Sequence, residues 1–219
     1  MDALIRLDGP TLEPASGRAR QLVVLCHGLG ADGNDLIGLA PEWASVLPDA
    51  AFIAPNAPFP CEGAPMGRQW FALWDRTQDQ MEAGVRMAAG LLNAWLDQQL
   101  AARGLAPGAC ALMGFSQGAM TALFAALRRK APVGCVLAFS GALLGAAALG
   151  DELSARPPVL LVHGEADPVV PVAASRAAEA ALKAAGVPVT ARYVPGLPHG
   201  IDPASIAAGG RFLQAHLRS

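Results

Sequence analysis

The stretch ACALMGFSQG, residues 109–118, joins a run of apolar residues to a run with helical spacing. Residues 109–113 predict a buried β-strand, and residues 117–130 predict the helix that follows it. Between them stands the pattern G-x-S-x-G, in which Gly114 and Gly118 flank Ser116. The small residues leave room for a sharp turn from strand to helix. Such a turn lifts the serine hydroxyl above the sheet and presents amide N–H groups at the start of the helix.

Segments typical of strands and of helices alternate along the rest of the chain. The predicted strands are 21–26, 51–54, 109–113, 133–139, 158–162 and 189–194, and the predicted helices are 80–103, 117–130, 172–185 and 203–217. Strands that are apolar on both faces and separated by helices indicate an α/β protein with a mostly parallel sheet covered on both sides. Ligands bind beyond the carboxyl ends of the strands in such sheets. We therefore expect the functional residues in the loops that directly follow the strands.

The composition excludes several classes of protein. The chain has 219 residues, of which 53% are hydrophobic and 16% charged, and this excludes a disordered protein. We expect residues 1–219 to form a single domain. The net charge of −2 gives no electrostatic footprint for a nucleic-acid partner.

Targeting and redox signals point to the cytoplasm. The amino terminus lacks the basic and apolar pattern of a signal peptide, and the most apolar run, residues 141–149, is too short for a transmembrane segment. The 4 cysteines form no CxxC pair and no cluster with histidine, so we expect reduced thiols and no metal site.

A serine hydroxyl needs a neighbouring base before it can act as a nucleophile, and the base needs an acid that orients it. In sheets of this kind the partners follow in the order serine, acid, histidine. Of the histidines at predicted strand ends, His199 is the one that comes after both Ser116 and the last predicted strand. His216 falls in the last turn of the final predicted helix, and we interpret His163 as a structural residue at a strand end. We therefore predict His199 as the base.

The predicted strand 158–162 is followed by two acidic residues, Glu165 and Asp167. Asp167 is favoured as the acid because Pro168 fixes an extended turn beside it, just before the next helix. Glu165 stays open as the alternative.

The turn after the first predicted strand, HGLGADG at residues 27–33, allows two interpretations. Residues 28–33 match the dinucleotide fingerprint G-x-G-x-x-G, which would indicate an NAD(P)-binding oxidoreductase. The next predicted strand, however, ends in Ala54-Pro55-Asn56, where a ribose-binding acid would be expected. We favour a turn that supplies an oxyanion-binding N–H from Leu29, together with the N–H of Gln117.

With these residues assigned, the chain resembles the phospholipase/carboxylesterase family, which includes acyl-protein thioesterases and small bacterial carboxylesterases. The segments that match, in order, are LCHGLGADGNDL, RQWFALWD, GFSQGAM, FSGALL, HGEADPVVP and YVPGLPHGI. The resemblance implies an α/β-hydrolase fold with Ser116, Asp167 and His199 as the catalytic triad and Leu29 and Gln117 at the oxyanion hole. Two departures stand out: Pro198 replaces the glycine usual before the histidine, and Ala72 stands where an acid is common.

These residues predict acyl transfer to water without a cofactor or metal, on a small-molecule ester or acyl-thioester. Residues 140–157 are too few for a large cap domain, so we expect an open site. We predict Leu73, Trp74 and Leu143 as an acyl-binding surface. An apolar rim there would also suit a homodimer or a lipid. The alternatives are the oxidoreductase and a catalytically silent, hydrolase-like binding protein.

Overall fold

The computed structural model describes residues 6–73 and 77–217. The strands are β1 (Thr11–Leu12), β2 (Gln21–Cys26), β3 (Ala50–Ile53), β4 (Phe59–Cys61), β5 (Ala64–Gln69), β6 (Cys110–Phe115), β7 (Cys135–Phe139), β8 (Val159–Gly164) and β9 (Val189–Val194). The helices are α1 (Gly33–Ile37), α2 (Ala40–Ala44), α3 (Gln78–Arg103), α4 (Gln117–Leu127), α5 (Leu149–Glu152), α6 (Val172–Ala184) and α7 (Pro203–His216).

The main sheet has seven strands in the order β1-β3-β2-β6-β7-β8-β9. The short edge strand β1 is antiparallel to β3, and the other six strands run parallel. The register pairs Cys26 with Gly114 and Phe115 with Phe139, so β2, β6 and β7 end side by side. The sequence prediction of a mostly parallel sheet is confirmed. Because the strands share a direction, the loops after them meet at one edge of the sheet.

Hydrophobic core lies on both faces of this sheet. One core cluster includes residues of α3, α4 and α6, and the other includes residues of α1, α2 and α7. Every residue of β2, β7 and β8 is buried, as expected for strands covered on both sides. Helix α4 is also buried at every position, because α3 covers the side of it that faces away from the sheet. Packing along the whole of α4 therefore holds its first turn in place.

Between β3 and α3, where no strand or helix was predicted, β4 and β5 form an antiparallel hairpin. Cys61, which falls outside every predicted strand and helix, lies in β4. Apolar and polar residues do not alternate regularly along the hairpin, because its strand pairing shifts register between Pro60 and Cys61.

Helix boundaries follow the predictions closely at α3, α6 and α7. Helix α4 ends at Leu127, three residues before the predicted end, because Arg128 leaves the helical conformation and Pro132 follows. Between β7 and β8 the chain forms only the four-residue helix α5, so the predicted lack of a large cap domain is confirmed. Among the described helices, none is both long and apolar enough to cross a lipid bilayer.

Candidate active site

Ser116 occupies a strained turn between β6 and α4. Its φ of 53° and ψ of −118° lie in a region that non-glycine residues rarely adopt. The neighbouring glycines are required by close packing: a Cβ on Gly114 would overlap the backbone of Gly118, and a Cβ on Gly118 would overlap the carbonyl of Cys26. The Ser116 N–H donates to the Phe139 carbonyl over 2.9 Å and so anchors the turn to β7. Strain of this kind costs about 1–3 kcal/mol and is concentrated at functional sites.

His199 and Asp167 come together from two different loops at the same end of the sheet. His199 Nδ1 donates to Asp167 Oδ2 over 2.6 Å, and the Asp167 side chain is fully buried. The two loops are joined by their backbones, because the Ala166 N–H donates to the Leu197 carbonyl over 3.1 Å. Since the carboxylate only accepts, this hydrogen bond keeps the proton on Nδ1 and leaves His199 Nε2 free to accept one.

The Asp167 carboxylate is held in its charged form. Its Oδ1 accepts from the N–H groups of Val169 and Val170 over 2.8 and 2.9 Å. Burial acts to raise the pKa of Asp167, but the hydrogen bonds from His199, Val170 and Val169 outweigh it, so the pKa lies below its usual value. A charged carboxylate can both orient His199 and stabilise its protonated form.

The alternative acid, Glu165, lies outside this arrangement. Its carboxylate forms a surface ion pair with Arg176 over 2.7 Å. Of the two acids that follow β8, it is Asp167 that hydrogen-bonds to His199.

Ser116 and His199 line the same cavity, which has a volume of about 550 Å³. In the described part of the chain, no hydrogen bond joins the Ser116 hydroxyl to the His199 ring. Such contacts often tighten only when substrate binds. The ring of Phe115 packs against His199 with 4.8 Å between centroids, which limits how far the imidazole can turn.

Leu29 and Gln117 line this cavity together with Ser116. Within the described residues, no group accepts a hydrogen bond from the backbone N–H of either. The Gln117 N–H stands at the first position of α4, where the helix dipole adds partial positive charge. Two free N–H groups beside a serine can bind a developing oxyanion.

The predicted acyl-binding residues divide into three cases. Leu73 lines the cavity. Leu143 packs half-buried against the hydrophobic core and is not among the residues that line the cavity. Trp74 lies outside the described residues. The sequence reasoning missed Met81 and Met120, which also line the cavity. Both belong to helices whose apolar positions have the spacing of ordinary core residues, so nothing in the sequence distinguishes them as cavity residues.

The glycine-rich turn at residues 28–33 does not build a dinucleotide site. Helix α1, which follows it, has only five residues. The side chain after β3 is the amide of Asn56, which accepts from the Gly33 N–H over 2.8 Å and offers no carboxylate to a ribose. In the residues that the structure describes, no group of three or more His, Cys, Asp or Glu side chains could hold a metal ion.

The two remaining histidines at the carboxyl side of the sequence differ in role. His216 ends α7 and packs on Phe212 with 4.4 Å between ring centroids. His163 ends up next to the acid: its Nε2 donates to the Val170 carbonyl over 2.8 Å and lies 3.2 Å from Asp167 Oδ2. The sequence predicted a structural residue here, but it did not reveal this contact with Asp167.

The parallel sheet, the strained serine at the turn from strand to helix and the His199–Asp167 pair define an α/β-hydrolase. The sequence matches the phospholipase/carboxylesterase family over residues 7–217. The chain therefore belongs to this family.

Similarity to individual esterases and thioesterases supports this assignment. Esterase YpfH of Escherichia coli is 34% identical over 201 residues, which cover 91% of this chain and 83% of that protein. Acyl-protein thioesterase 1 of Gibberella zeae is 26% identical, over 95% of this chain and 95% of that protein. The crystal structure of esterase PE8 superposes with a TM-score of 0.93 at 40% identity, over 97% of this chain and 100% of that one.

Proposed function

We propose that the protein is a serine hydrolase that cleaves carboxylic esters through an acyl-enzyme on Ser116. The observation that carries the proposal is the 2.6 Å hydrogen bond from His199 Nδ1 to Asp167, at a cavity that the Ser116 hydroxyl also lines. Membership of the phospholipase/carboxylesterase family makes the chain a carboxylic ester hydrolase. The roles of the individual residues are our assignment.

The first half of the reaction acylates the serine. His199 Nε2 takes the proton of the Ser116 hydroxyl as its oxygen attacks the carbonyl carbon of the ester. The carbonyl oxygen becomes negative and accepts hydrogen bonds from the N–H groups of Leu29 and Gln117. When the tetrahedral intermediate collapses, the bond to the alcohol breaks and His199 returns its proton to the departing oxygen.

The second half releases the acid. Water enters, gives a proton to His199 and attacks the acyl carbon on Ser116. The same two N–H groups bind the second oxyanion. The bond to the serine oxygen then breaks, His199 returns the proton to that oxygen, and the carboxylic acid leaves. Asp167 stays ionised throughout, because its three hydrogen-bond donors, His199 Nδ1 and the N–H groups of Val169 and Val170, favour the charged form.

We assign the acyl group of the substrate to the apolar part of the cavity. Its wall includes Leu73, Met81, Met120 and Val170, none of which carries a charge. Straight methionine side chains adapt their shape to flexible apolar ligands. We also retain Trp74 and Leu143 as predicted neighbours of this surface, to be tested by substitution. The site is suited to esters and to acyl-thioesters, which have the same carbonyl chemistry, and a lysophospholipid is one such ester.

Labelling with a fluorophosphonate probe tests the nucleophile, because the probe reacts only with an activated serine. The wild-type chain should be labelled, and Ser116→Ala should lose both labelling and on the order of 10⁴ to 10⁶ in kcat. Ser45→Ala is the matched control, since Ser45 is exposed and its hydroxyl bonds only to the Glu42 carbonyl. Labelling that persists in Ser116→Ala would refute the assignment, and a wild-type chain without labelling would support a silent binding protein.

A panel of esters and thioesters with matched acyl chains tests the substrate class. We expect hydrolysis of both, with a preference for apolar acyl groups that fit the cavity of about 550 Å³. Turnover of thioesters alone would contradict the proposed ester hydrolysis, and a preference for charged acyl groups over apolar ones would contradict the assignment of the cavity.

We also propose that residues 1–219 form one domain that acts in the cytoplasm. The continuous seven-stranded sheet supports the first point, and the four free cysteines support the second. A homodimer through the rim of the active site is our remaining proposal for a partner. Light scattering across a concentration series tests it directly.

A further inference from the structure

His27 is a buried residue that directly follows β2 and precedes the turn containing Leu29. The ring makes two hydrogen bonds to backbone groups. His27 Nε2 lies 3.0 Å from the Ala57 nitrogen, and His27 Nδ1 lies 2.7 Å from the carbonyl oxygen of Gly28. Neither bond involves a group that takes part in the reaction described above.

These two partners determine where the proton of His27 lies. A backbone N–H only donates, so Nε2 must accept from Ala57 and carries no proton. A carbonyl only accepts, so Nδ1 must carry the proton and donate it to Gly28. The ring is therefore neutral. Burial lowers the pKa of His27, more than the hydrogen bond to Gly28 raises it, so the ring stays neutral at pH 7.

The hydrogen bond to Gly28 determines the direction of the next N–H group. The peptide bond between Gly28 and Leu29 is trans, as are all those described, so its C=O and N–H point in opposite directions. The Gly28 carbonyl is held by His27 Nδ1 and also accepts from the Ala31 N–H over 3.3 Å. The Leu29 N–H must therefore point away from the His27 ring, and both residues of this peptide, Gly28 and Leu29, line the cavity.

A second path connects His27 to the other N–H donor of the oxyanion hole. The side chain of Gln117 accepts from the Trp70 N–H over 2.8 Å and donates to the Phe71 carbonyl over 2.7 Å. The Trp70 indole N–H donates to the His27 carbonyl over 2.9 Å. All of these groups are buried. The Gly28–Leu29 peptide and the Gln117 side chain are thus connected through hydrogen bonds to the backbone and side chains of His27 and Trp70.

We propose that His27 is a positioning residue that aims the Leu29 N–H at the substrate oxyanion and, through Trp70, fixes it relative to the Gln117 N–H. The inference rests on the proposed function, because it assumes that the reacting carbonyl lies beside Ser116. His27 itself never touches the substrate. Its effect should appear in the stabilisation of the transition state and not in the binding of the ground state.

Two substitutions separate the bond to Gly28 from the bond to Ala57. His27→Asn places its amide N–H near the position of Nδ1, so it can still donate to Gly28 but no longer accepts from Ala57. His27→Gln places its amide near Nε2, so it can accept from Ala57 but no longer donates to Gly28. Each variant removes the ring and one of its two hydrogen bonds, so the melting temperature of both is measured alongside kcat.

The expected result is a difference in kcat between the two variants. His27→Gln should lose about 10- to 100-fold in kcat, less than the roughly 10² to 10³ for complete removal of an oxyanion donor, because the Leu29 N–H is misdirected and not deleted. KM should change by less than about threefold. His27→Asn should recover most of kcat. Affinity for a trifluoromethyl ketone, whose adduct with Ser116 carries an oxyanion, should fall in parallel with kcat.

Several outcomes would overturn the proposal. Equal kcat in both variants at equal melting temperature would show that the bond to Gly28 does not matter. A rise in KM without a change in kcat would indicate ground-state binding. If neither variant folds, ¹⁵N NMR of the wild-type ring decides, since a proton on Nε2 would refute the proposed hydrogen bonds.

Failure of the proposed function looks different. In that case the wild-type chain itself would neither hydrolyse esters nor react with a fluorophosphonate, whatever the state of the His27 ring.

Discussion

Replacement of Asp167 by asparagine preserves the shape of the side chain but exchanges one acceptor oxygen for a donor group. In the wild-type chain Oδ1 accepts from the N–H groups of Val169 and Val170, and Oδ2 accepts from His199 Nδ1. The asparagine amide has two orientations. With its oxygen toward Val169 and Val170 it keeps two hydrogen bonds, and with its nitrogen there it places a donor against two donors. The first orientation is therefore strongly favoured.

In the favoured orientation the amide N–H₂ faces His199 Nδ1. That nitrogen must then accept, so the proton of the neutral imidazole moves to Nε2. An Nε2 that carries a proton cannot take another from Ser116. We expect kcat to fall by about 10⁴, as expected for a base in the wrong tautomer, which corresponds to about 5 kcal/mol of transition-state stabilisation.

The assay is hydrolysis of a chromogenic ester between pH 6 and 9, with the melting temperature measured alongside. Glu165→Gln is the matched control, because it makes the same chemical change on the other acid after β8 and affects only an exposed ion pair with Arg176. We expect the control to keep wild-type kcat. A loss below tenfold in Asp167→Asn, or a larger loss in Glu165→Gln, would refute the assignment of the acid.

Three further predictions concern other parts of the fold. His163→Ala should lower the free energy of unfolding by about 1–3 kcal/mol in a denaturant titration, because it removes the hydrogen bonds of a buried ring to Ser175 and to the Val170 carbonyl; an unchanged free energy of unfolding would contradict this. Met120→Trp should shift the optimum toward shorter acyl chains in a series of esters, and an unchanged optimum would remove Met120 from the acyl site. Gly118→Ala should prevent folding, because the added Cβ would overlap the Cys26 carbonyl at the end of β2. Gly90 is exposed in α3 with open space around it, so Gly90→Ala should raise the free energy of unfolding by about 0.5–1 kcal/mol in a denaturant titration.

The sequence predicts which loops meet at the candidate active site, because the parallel strands determine where those loops lie. Residues that follow β2, β6 and β8 must meet at one edge of the sheet, so the positions of Leu29, Ser116 and Asp167 follow from their places after predicted strands. His199 follows β9 in the same way. The sequence favours Asp167 over Glu165 only through Pro168, because both acids follow the same strand and the path of the loop determines which of them faces His199.

The parts that could not be predicted depend on contacts between distant segments. Hairpin β4–β5 is largely exposed and shifts register, so its hydrophobic pattern is weak. The sequence could not distinguish Leu143, which packs on the core, from Leu73, which lines the cavity. Both are apolar residues in loops, and the direction of a side chain in a loop depends on tertiary packing. The ring contacts of His27 are hidden for the same reason, because Ala57 lies thirty residues away.

The strain at Ser116 and the hydrogen bonds of Gln117 depend on each other. Relaxing the Ser116 backbone would release about 1–3 kcal/mol, but it would move the start of α4 and with it the Gln117 side chain. That side chain makes two buried hydrogen bonds, to Trp70 and Phe71, and each buried polar group left without a partner costs about 1–3 kcal/mol. Two such losses, added to the disturbed packing of a fully buried helix, exceed the strain that would be released. The turn therefore stays strained, and the contacts that keep it so also hold the Gln117 N–H at the cavity.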